Sequence, residues 1–489
     1  MSDRTGQSAD NSATPAPQGG PQQCPSPAVS TPSSLGDGRE RSDAAVGGYV
    51  DDASRALLRR AAHVIPGGVN TAKRKISPAL CVRRGCGGRI QTLDGAWLID
   101  HHCAYGAVFL GHALPEIAAS IGEAMRTGGL FGVGVTELEV EVARKIVKHV
   151  PSADLALLCG SGSEATFHAI RLARAATGRN KIMKFQGCYH GAHDYVALNY
   201  LSSGDHLGHA DPFSAGVLPD AAANTVVCRF NDLDDVEHAF ARYQEQIAAI
   251  IVEPIAHNAG SIMPTHEFLP GLRAICEREG AVLIFDEVIT GFRHGLGGYQ
   301  AIAGVTPDLT TLAKALGNGA PVAAIAGSHK LMSRFSTTAD GDVWFAGTYN
   351  GNAIALAAAL ASIEILEREP VHQHVFRLGE RMRAGLRQIA LDAGIPAVVS
   401  GFGSVFVWLF MEGGLLSYDD VLRNDAELQV AYRRELLARG VFEMPENLGR
   451  SHLMYSHSDE DVDRALEAAA ASLKAVLSGH SRATSDADV

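Results

Sequence analysis

Five consecutive apolar residues, Ala281 to Phe285, lead directly into the acidic pair Asp286-Glu287. A run that is apolar on both faces fits a strand covered on both sides, as parallel strands in α/β proteins are. It delivers carboxylates to the carboxyl end of that strand, where open α/β sheets bind ligands. Similar strand-like runs at 155–158, 181–185, 225–228, 249–252, 309–312 and 322–326 alternate with helical periodicity at 137–149, 164–176, 233–243, 269–279 and 353–367. That alternation predicts an α/β chain with a mainly parallel, seven-stranded sheet between helices.

A lone lysine follows in the apolar stretch Leu312-Ala313-Lys314-Ala315-Leu316. A buried carboxylate needs a cationic partner, and apolar surroundings push an amine pKa down toward nucleophilic competence. Carboxylate plus activated lysine suggests pyridoxal phosphate: lysine forms a Schiff base with the cofactor aldehyde, and the carboxylate keeps the pyridine nitrogen protonated so that the ring is an electron sink. Each half also has another reading. Magnesium-dependent nucleotide hydrolases hold metal on such an acidic pair, and apolar-flanked lysines often snorkel at a surface.

A phosphate cradle bears on the choice. Gly160-Ser161-Gly162-Ser163-Glu164-Ala165 follows the strand-like run at 155–158 and opens a helical pattern. Small residues let backbone N–H groups approach an anion, and a helix N-terminus favours negative charge. The segment also fits the dinucleotide fingerprint, but the next strand ends in Gln186 rather than an acidic residue for ribose. Glu164-Ala165 stands where a Walker loop needs Lys-Ser/Thr. A single phosphate fits best. Tyr189, in Gly187-Cys188-Tyr189-His190-Gly191, falls on a loop above the same sheet edge, where its ring could stack on a planar heterocycle; the alternative is a half-buried loop tyrosine.

With these motifs in order, the chain resembles the class III, fold type I pyridoxal phosphate aminotransferases, and within them the glutamate-1-semialdehyde aminomutase-like branch. The likeness runs from about residue 65 to 457 and includes Ile65-Pro66-Gly67-Gly68-Val69-Asn70, Val252-Glu253-Pro254, the segments 284–293 and 307–314, and Ala346-Gly347-Thr348-Tyr349-Asn350. The resemblance implies a large α/β domain with a smaller α+β domain. It makes Lys314 the Schiff-base lysine and proton carrier, Asp286 the pyridine-nitrogen partner, and Val288 the ring contact opposite Tyr189. Tyr189 joins Lys314 and Asp286 in the implied catalytic group. Gly162 and Ser163 would form the phosphate cup, and Glu253 and Asn258 would fall among the cofactor contacts, Asn258 near the phenolic oxygen. Thr348 would reach the phosphate across a homodimer interface. Arg74 falls where related aminomutases hold the substrate carboxylate. No metal is expected.

A net charge of −12 argues against nucleic acid or an anionic membrane as partner, and no apolar stretch approaches the ~20 residues that cross a bilayer. Eight cysteines without paired metal spacing read as reduced thiols, which suggests a cytoplasmic protein. Residues 1–48 are rich in Ser, Gly, Pro and Gln and are expected to be a disordered tail, as are residues 479–489. Between them the large domain is expected over 105–367, and the smaller one from 49–104 together with 368–478. The aperiodic stretch 199–224 is either a lid or a surface insertion.

Transfer of an amine between molecules and its movement within one molecule share these motifs. Two departures lean toward a transaminase: Thr71-Ala72-Lys73-Arg74 stands where the aminomutase usually has a Ser-Pro pair, and Gly449 where it commonly has a glutamate. Arg450 follows, and with Arg74 it could hold a dianionic substrate; the alternative is a surface arginine. The expectation is therefore a transaminase for a small amino acid or similar compound, with an aminomutase second. A purely regulatory or structural pyridoxal phosphate binder would be expected to have lost Lys314 or Asp286, and both are present.

Overall fold

A computed structural model describes residues 51–485, so the tail expected over 1–48 lies outside the described residues. Along the chain the strands are β1 (Val82–Cys86), β2 (Arg89–Thr92), β3 (Trp97–Asp100), β4 (Leu155–Cys159), β5 (Lys181–Phe185), β6 (Thr225–Cys228), β7 (Ile247–Val252), β8 (Val282–Glu287), β9 (Leu309–Leu312), β10 (Ala323–Gly327), β11 (Val398–Ser400), β12 (Val405–Leu409), β13 (Val441–Phe442) and β14 (Ser451–His452). Seven of them form one sheet in the order β4-β10-β9-β8-β7-β5-β6. Within it β10 runs antiparallel to both neighbours, and the pairings from β9 to β6 are parallel. The mainly parallel sheet expected from the seven apolar runs is found, with only strand ends moved.

Every residue of β7 and β8 is buried, because helices cover both faces. On one face Val282 and Ile284 join a core with Ala165, Ala169 and Leu172 of helix Gly162–Thr177. On the other, Leu283 and Phe285 pack with Phe268 and Leu272 of helix Phe268–Glu279. Alternate residues of a strand point to opposite faces, which splits the acidic pair. This corrects the expectation that both carboxylates reach the ligand edge. Glu287 turns into the core, where it accepts hydrogen bonds from Thr290 Oγ1 (2.7 Å), Tyr299 N (2.5 Å), Gln300 N (3.1 Å) and Gln300 Nε2 (2.9 Å). Neutral donors replace the expected cation, and burial raises the Glu287 pKa.

Two smaller sheets stand beside this one. The first has the order β1-β2-β3-β13, and β13 joins β3 in parallel, so residues near the two ends of the described chain share it. The second is β11-β12-β14. The last helix, Asp459–Ser485, continues through 479–485, where a loose tail was expected. The stretch 199–224 contains a 3₁₀ turn, Gly204–His206, and a short helix, Pro219–Ala223. Its base is pinned by Asn199 Nδ2 donating to Gln186 Oε1 (3.0 Å) and by Tyr418 Oη donating to the Ser202 carbonyl (2.9 Å). Cys81, Cys103, Cys159, Cys188, Cys228 and Cys276 are buried free thiols, but Cys86 is disulfide-bonded, which departs from the expectation of eight reduced thiols. No described helix is long and apolar enough to cross a membrane.

Glu287 therefore serves the fold. Glu287→Ala strands several buried donors and should lower the unfolding free energy by about 3 kcal/mol, with Glu287→Gln costing less. Denaturant titration reads this directly; a loss for Glu287→Ala below about 1 kcal/mol would contradict the structural role.

Candidate active site

A cavity of about 270 Å³ opens at the carboxyl end of β8, lined among others by Gly162, Ser163, Tyr189, Asp286, Val288 and Lys314. The sheet brings together residues separated by 152 positions in sequence, from Gly162 to Lys314. Glu253 also lines this cavity.

Asp286 is held from three sides. His190 Nδ1 lies 2.7 Å from Oδ2, while Val288 N (3.1 Å) and Thr311 Oγ1 (3.2 Å) donate to Oδ1. The side chain placed against this carboxylate is a histidine from the Tyr189 loop, not the lysine expected as its partner. His190 was not singled out from the sequence. The only signal was its place next to Tyr189, because adjacent loop residues can turn one ring to the cavity and the other to the sheet edge. The split acidic pair also removes the nucleotide-hydrolase reading, since Asp286 and Glu287 cannot grip one metal ion. Among the described residues no group of three or more His, Cys, Asp or Glu side chains is arranged to hold one.

Lys314 opens a 3₁₀ turn, Lys314–Leu316, with φ of +48°, in the left-handed region that L-residues other than Asn and Asp rarely adopt. Such strain persists where surrounding structure holds it. Burial lowers the Lys314 pKa to about 7, helped by the positive charge of Arg450 and opposed by Asp286 and Glu253.

Helix Gly162–Thr177 supplies the cradle. Ser161 caps it by accepting from Glu164 N, which leaves the first N–H groups of the helix as anion donors. A Cβ at Gly162 would lie 3.0 Å from Val288 Cγ2, so glycine lets the backbone approach without pushing Val288 aside. Val288 faces the cavity between this helix and β8.

The opposite wall is polar. Glu253 Oε1 accepts from Tyr189 N (2.7 Å), and Asn258 Nδ2 lies 3.0 Å from both Glu253 oxygens. Burial raises the Glu253 pKa. Arg450 Nη1 donates to Asn258 Oδ1 (2.6 Å) and Nη2 to the Tyr105 carbonyl (3.2 Å). Tyr105 belongs to a left-handed turn in which Cys103, Ala104 and Tyr105 have φ of 51°, 51° and 58°. Asp100 Oδ1 holds that turn open by accepting from His102 N and Cys103 N, both at 2.9 Å. Arg450 is half-buried. Arg74 is exposed in the turn Ala72–Arg74 and lies close enough to Tyr105 for its charge to act on that phenol. Thr348 is exposed and does not line this chain's cavity.

Sequence reasoning also missed a cluster at the rim. Lys73 Nζ donates to Glu446 (2.8 Å) and lies 5.2 Å from the Tyr200 ring centroid. Tyr200 in turn packs on Tyr189 at 5.1 Å. These residues come from three distant segments, and no motif joins them. Pyridoxal phosphate suits what is present: N–H donors at a helix terminus for phosphate, a fixed carboxylate for a ring nitrogen, a low-pKa amine for an aldehyde. The approach at Gly162 that a Cβ would obstruct is consistent with that fit.

The family model for class-III aminotransferases matches residues 70–472. A glutamate-1-semialdehyde 2,1-aminomutase from Methanopyrus kandleri is 41% identical over 424 residues, which is 86% of this chain and 97% of that protein. An omega-transaminase from Sphaerobacter thermophilus is similar in structure with a TM-score of 0.81 and 32% identity, covering 87% of this chain and 98% of its own. A transaminase structure with bound pyridoxal phosphate gives a TM-score of 0.79, 32% identity, and coverage of 87% and 98%.

A lysine with its pKa near neutrality should stand out chemically. In the full-length chain freed of cofactor, an amine-directed reagent with peptide mass analysis should modify Lys314 with a half-maximal rate at about pH 7. Below that pH the amine is protonated and unreactive; above it the rate should level off. A midpoint near the ~10.4 of an ordinary lysine would show that burial leaves this amine unperturbed.

Proposed function

The chain belongs to the class-III aminotransferase family, whose cofactor is pyridoxal phosphate, and on that premise we propose that it transfers an amino group between a small amino acid or amino-acid-like donor and a keto or aldehyde acceptor. The observation that carries this is one cavity lined by Lys314, Asp286 and the Gly162-Ser163 helix terminus. When bound, pyridoxal phosphate supplies an aldehyde that condenses with amines and a ring that accepts the electron pair left on the substrate's Cα. The residues of the chain do the rest. Gly162 and Ser163 would hold the phosphate, with Tyr189 and Val288 on either side of the ring. Asp286, oriented by His190 and Thr311, would hold the ring-nitrogen proton. Glu253 and Asn258 would form the side near the phenolic oxygen. Lys314 Nζ would bind the cofactor and then carry the proton leaving Cα, work that suits an amine with a pKa of about 7.

A second reading, the intramolecular aminomutase, is favoured by the 41% identity to such an enzyme. Thr71-Ala72-Lys73-Arg74, in place of the aminomutase's usual Ser-Pro pair, and Gly449, in place of its common glutamate, favour the transaminase, the second because it leaves no carboxylate beside Arg450. Arg450, with Arg74 nearer the rim, would meet an acidic group of the substrate. We also propose a homodimer in which Thr348 reaches the partner's cofactor phosphate. Exposed Phe131, Val133, Trp344 and Tyr349 support this, because large apolar groups in such number mark an interface.

Lys314→Ala should reduce turnover by at least about 10⁴-fold while leaving the melting temperature close to that of the parent protein. Residual transamination at a substantial rate would overturn the assignment. Incubating the holoenzyme with amino acids one at a time separates the two reactions. A transaminase releases one keto product per cofactor and stops until an acceptor is added, whereas a mutase converts one substrate through many turnovers unaided.

The dimer has its own test. Sedimentation should give twice the chain mass, and Thr348→Ala should weaken phosphate-dependent cofactor binding by about 10-fold, the value of one charge-assisted hydrogen bond. A monomer that binds cofactor as tightly as the parent enzyme would remove this part of the proposal.

A further inference from the structure

The helix Ala426–Ala438 contributes no residue to the cavity lining, yet two of its side chains grip the backbone of the rim segment 444–450. Gln429 and Arg433 are four residues apart, so they share one face of that helix. Both are buried. Arg433 Nη1 donates to the carbonyls of Met444 (2.8 Å) and Glu446 (2.9 Å), and Nη2 donates to that of Gly449. Its charge is balanced by Glu443, whose Oε2 lies 3.7 Å from Nε. Gln429 Oε1 accepts from Leu448 N (2.9 Å), while its Nε2 donates to the Trp408 carbonyl (2.6 Å) on β12. The rim is thus tied at the carbonyls of Met444, Glu446 and Gly449 and at the Leu448 amide. Leu448 has φ of +57°, a left-handed conformation rare for leucine, and such strain persists where the surrounding structure holds it.

The same clamp decides what position 449 can carry. A Cβ there would run into Arg433 Nη1 and stand 2.9 Å from Glu446 Cγ. A free arginine end would swing away, but this one is buried and held by three carbonyls. Any side chain at 449, glutamate included, must therefore break the clamp or move the rim. The rim carries two groups toward the site: Glu446, which accepts from Lys73 Nζ at 2.8 Å, and Arg450, which donates to Asn258 Oδ1 at 2.6 Å. Arg433 and Gly449 are a matched pair. We propose that Arg433 is a positioning residue that sets the substrate wall through the rim backbone and keeps position 449 free of any side chain. This rests on the reading of the rim as part of the substrate wall, and it places control of that wall in a helix beside it rather than in the wall itself.

The test is a double-mutant cycle on the full-length holoenzyme, with Arg433→Met, Gly449→Ala and the two together. Its readouts are hydrogen exchange at the Leu448 amide, and kcat and KM for whichever of the common amino acids the parent turns over fastest. Each single change should speed Leu448 exchange and raise KM by about tenfold, with kcat held within about twofold because Lys314 and Asp286 lie on other elements. The double variant should match Arg433→Met alone, since the added methyl has room once the guanidinium is gone. Arg433→Lys, which keeps the charge and reaches part of the three carbonyls, should recover part of the loss. Effects that multiply to about 100-fold in the double variant would overturn the inference, as would an unchanged KM in variants whose Leu448 amide has loosened. So would a parent Leu448 amide that exchanges as fast as an untethered loop amide, and that measurement needs no variant to fold. If the parent turns over no amino acid, the functional reading fails, while the exchange cycle alone still decides whether Arg433 holds the rim.

Discussion

The pleat of β8 is the constraint on which the rest depends. Because neighbouring residues of a strand face opposite ways, Asp286 and Glu287 enter different chemical worlds although nothing separates them in sequence. Asp286 stays at the cavity with a histidine beside it. Glu287 enters the core, saturated by neutral donors. A register shift of one residue would exchange them. The parallel pairings of Asp286 with Thr311 and Glu287 with Leu312 guard against that slip, and the first of these also gives Asp286 a hydroxyl donor.

Burial then acts on whichever charges remain. Lys314 loses solvation and gains a nearby guanidinium, while two carboxylates pull the other way; the net result is an amine near neutrality. Neither the sheet nor the lysine's own turn supplies that guanidinium. It comes from the segment before β14, held by Asn258 and by a carbonyl from the left-handed turn at 103–106. The strain of that turn is maintained by Asp100 on its entering side and by arginines on its carbonyls: Arg450 on Tyr105 and Arg293 on Gly106 at 2.5 Å. Backbone geometry and site electrostatics are therefore one problem in this protein.

What could be read beforehand follows from the range of the interactions. The sheet was legible because each strand announces itself locally, by a short apolar run between turn signals. The cradle was legible because cap, glycine and helix adjoin in sequence at 160–165. Lys314 and Asp286 were found because each sits in an apolar context that makes a charge conspicuous. His190, Lys73 and Glu446 were not, since each matters only through a partner that is far away in the chain: His190 for Asp286, Lys73 for Glu446. The strain at Tyr105 was equally hidden, as no glycine marks that position and its φ follows from tertiary hydrogen bonds. Even the acidic pair was half misread, because a run apolar on both faces carries no alternation to say which carboxylate turns inward.

This difference in range also separates chemistry from selectivity. The groups placed to handle an amine and a phosphate lie on β8, on the turn after β9 and on the helix after β4, all fixed by one sheet. Those proposed to face the substrate come from residues 72–74, 103–106 and 446–450, near where β13 pairs with β3. The first set can stay constant while the second changes its charge, as Gly449 would in place of the aminomutase's common glutamate. A reaction that holds its intermediate needs that outer wall closed and matched to one molecule; a reaction that exchanges partners needs it to accept two. The proposed substrate wall of this chain includes a guanidinium already tethered by two bonds, with its buried Nε left without a partner. Because an anionic group common to donor and acceptor can satisfy it equally, such a wall suits exchange better than retention.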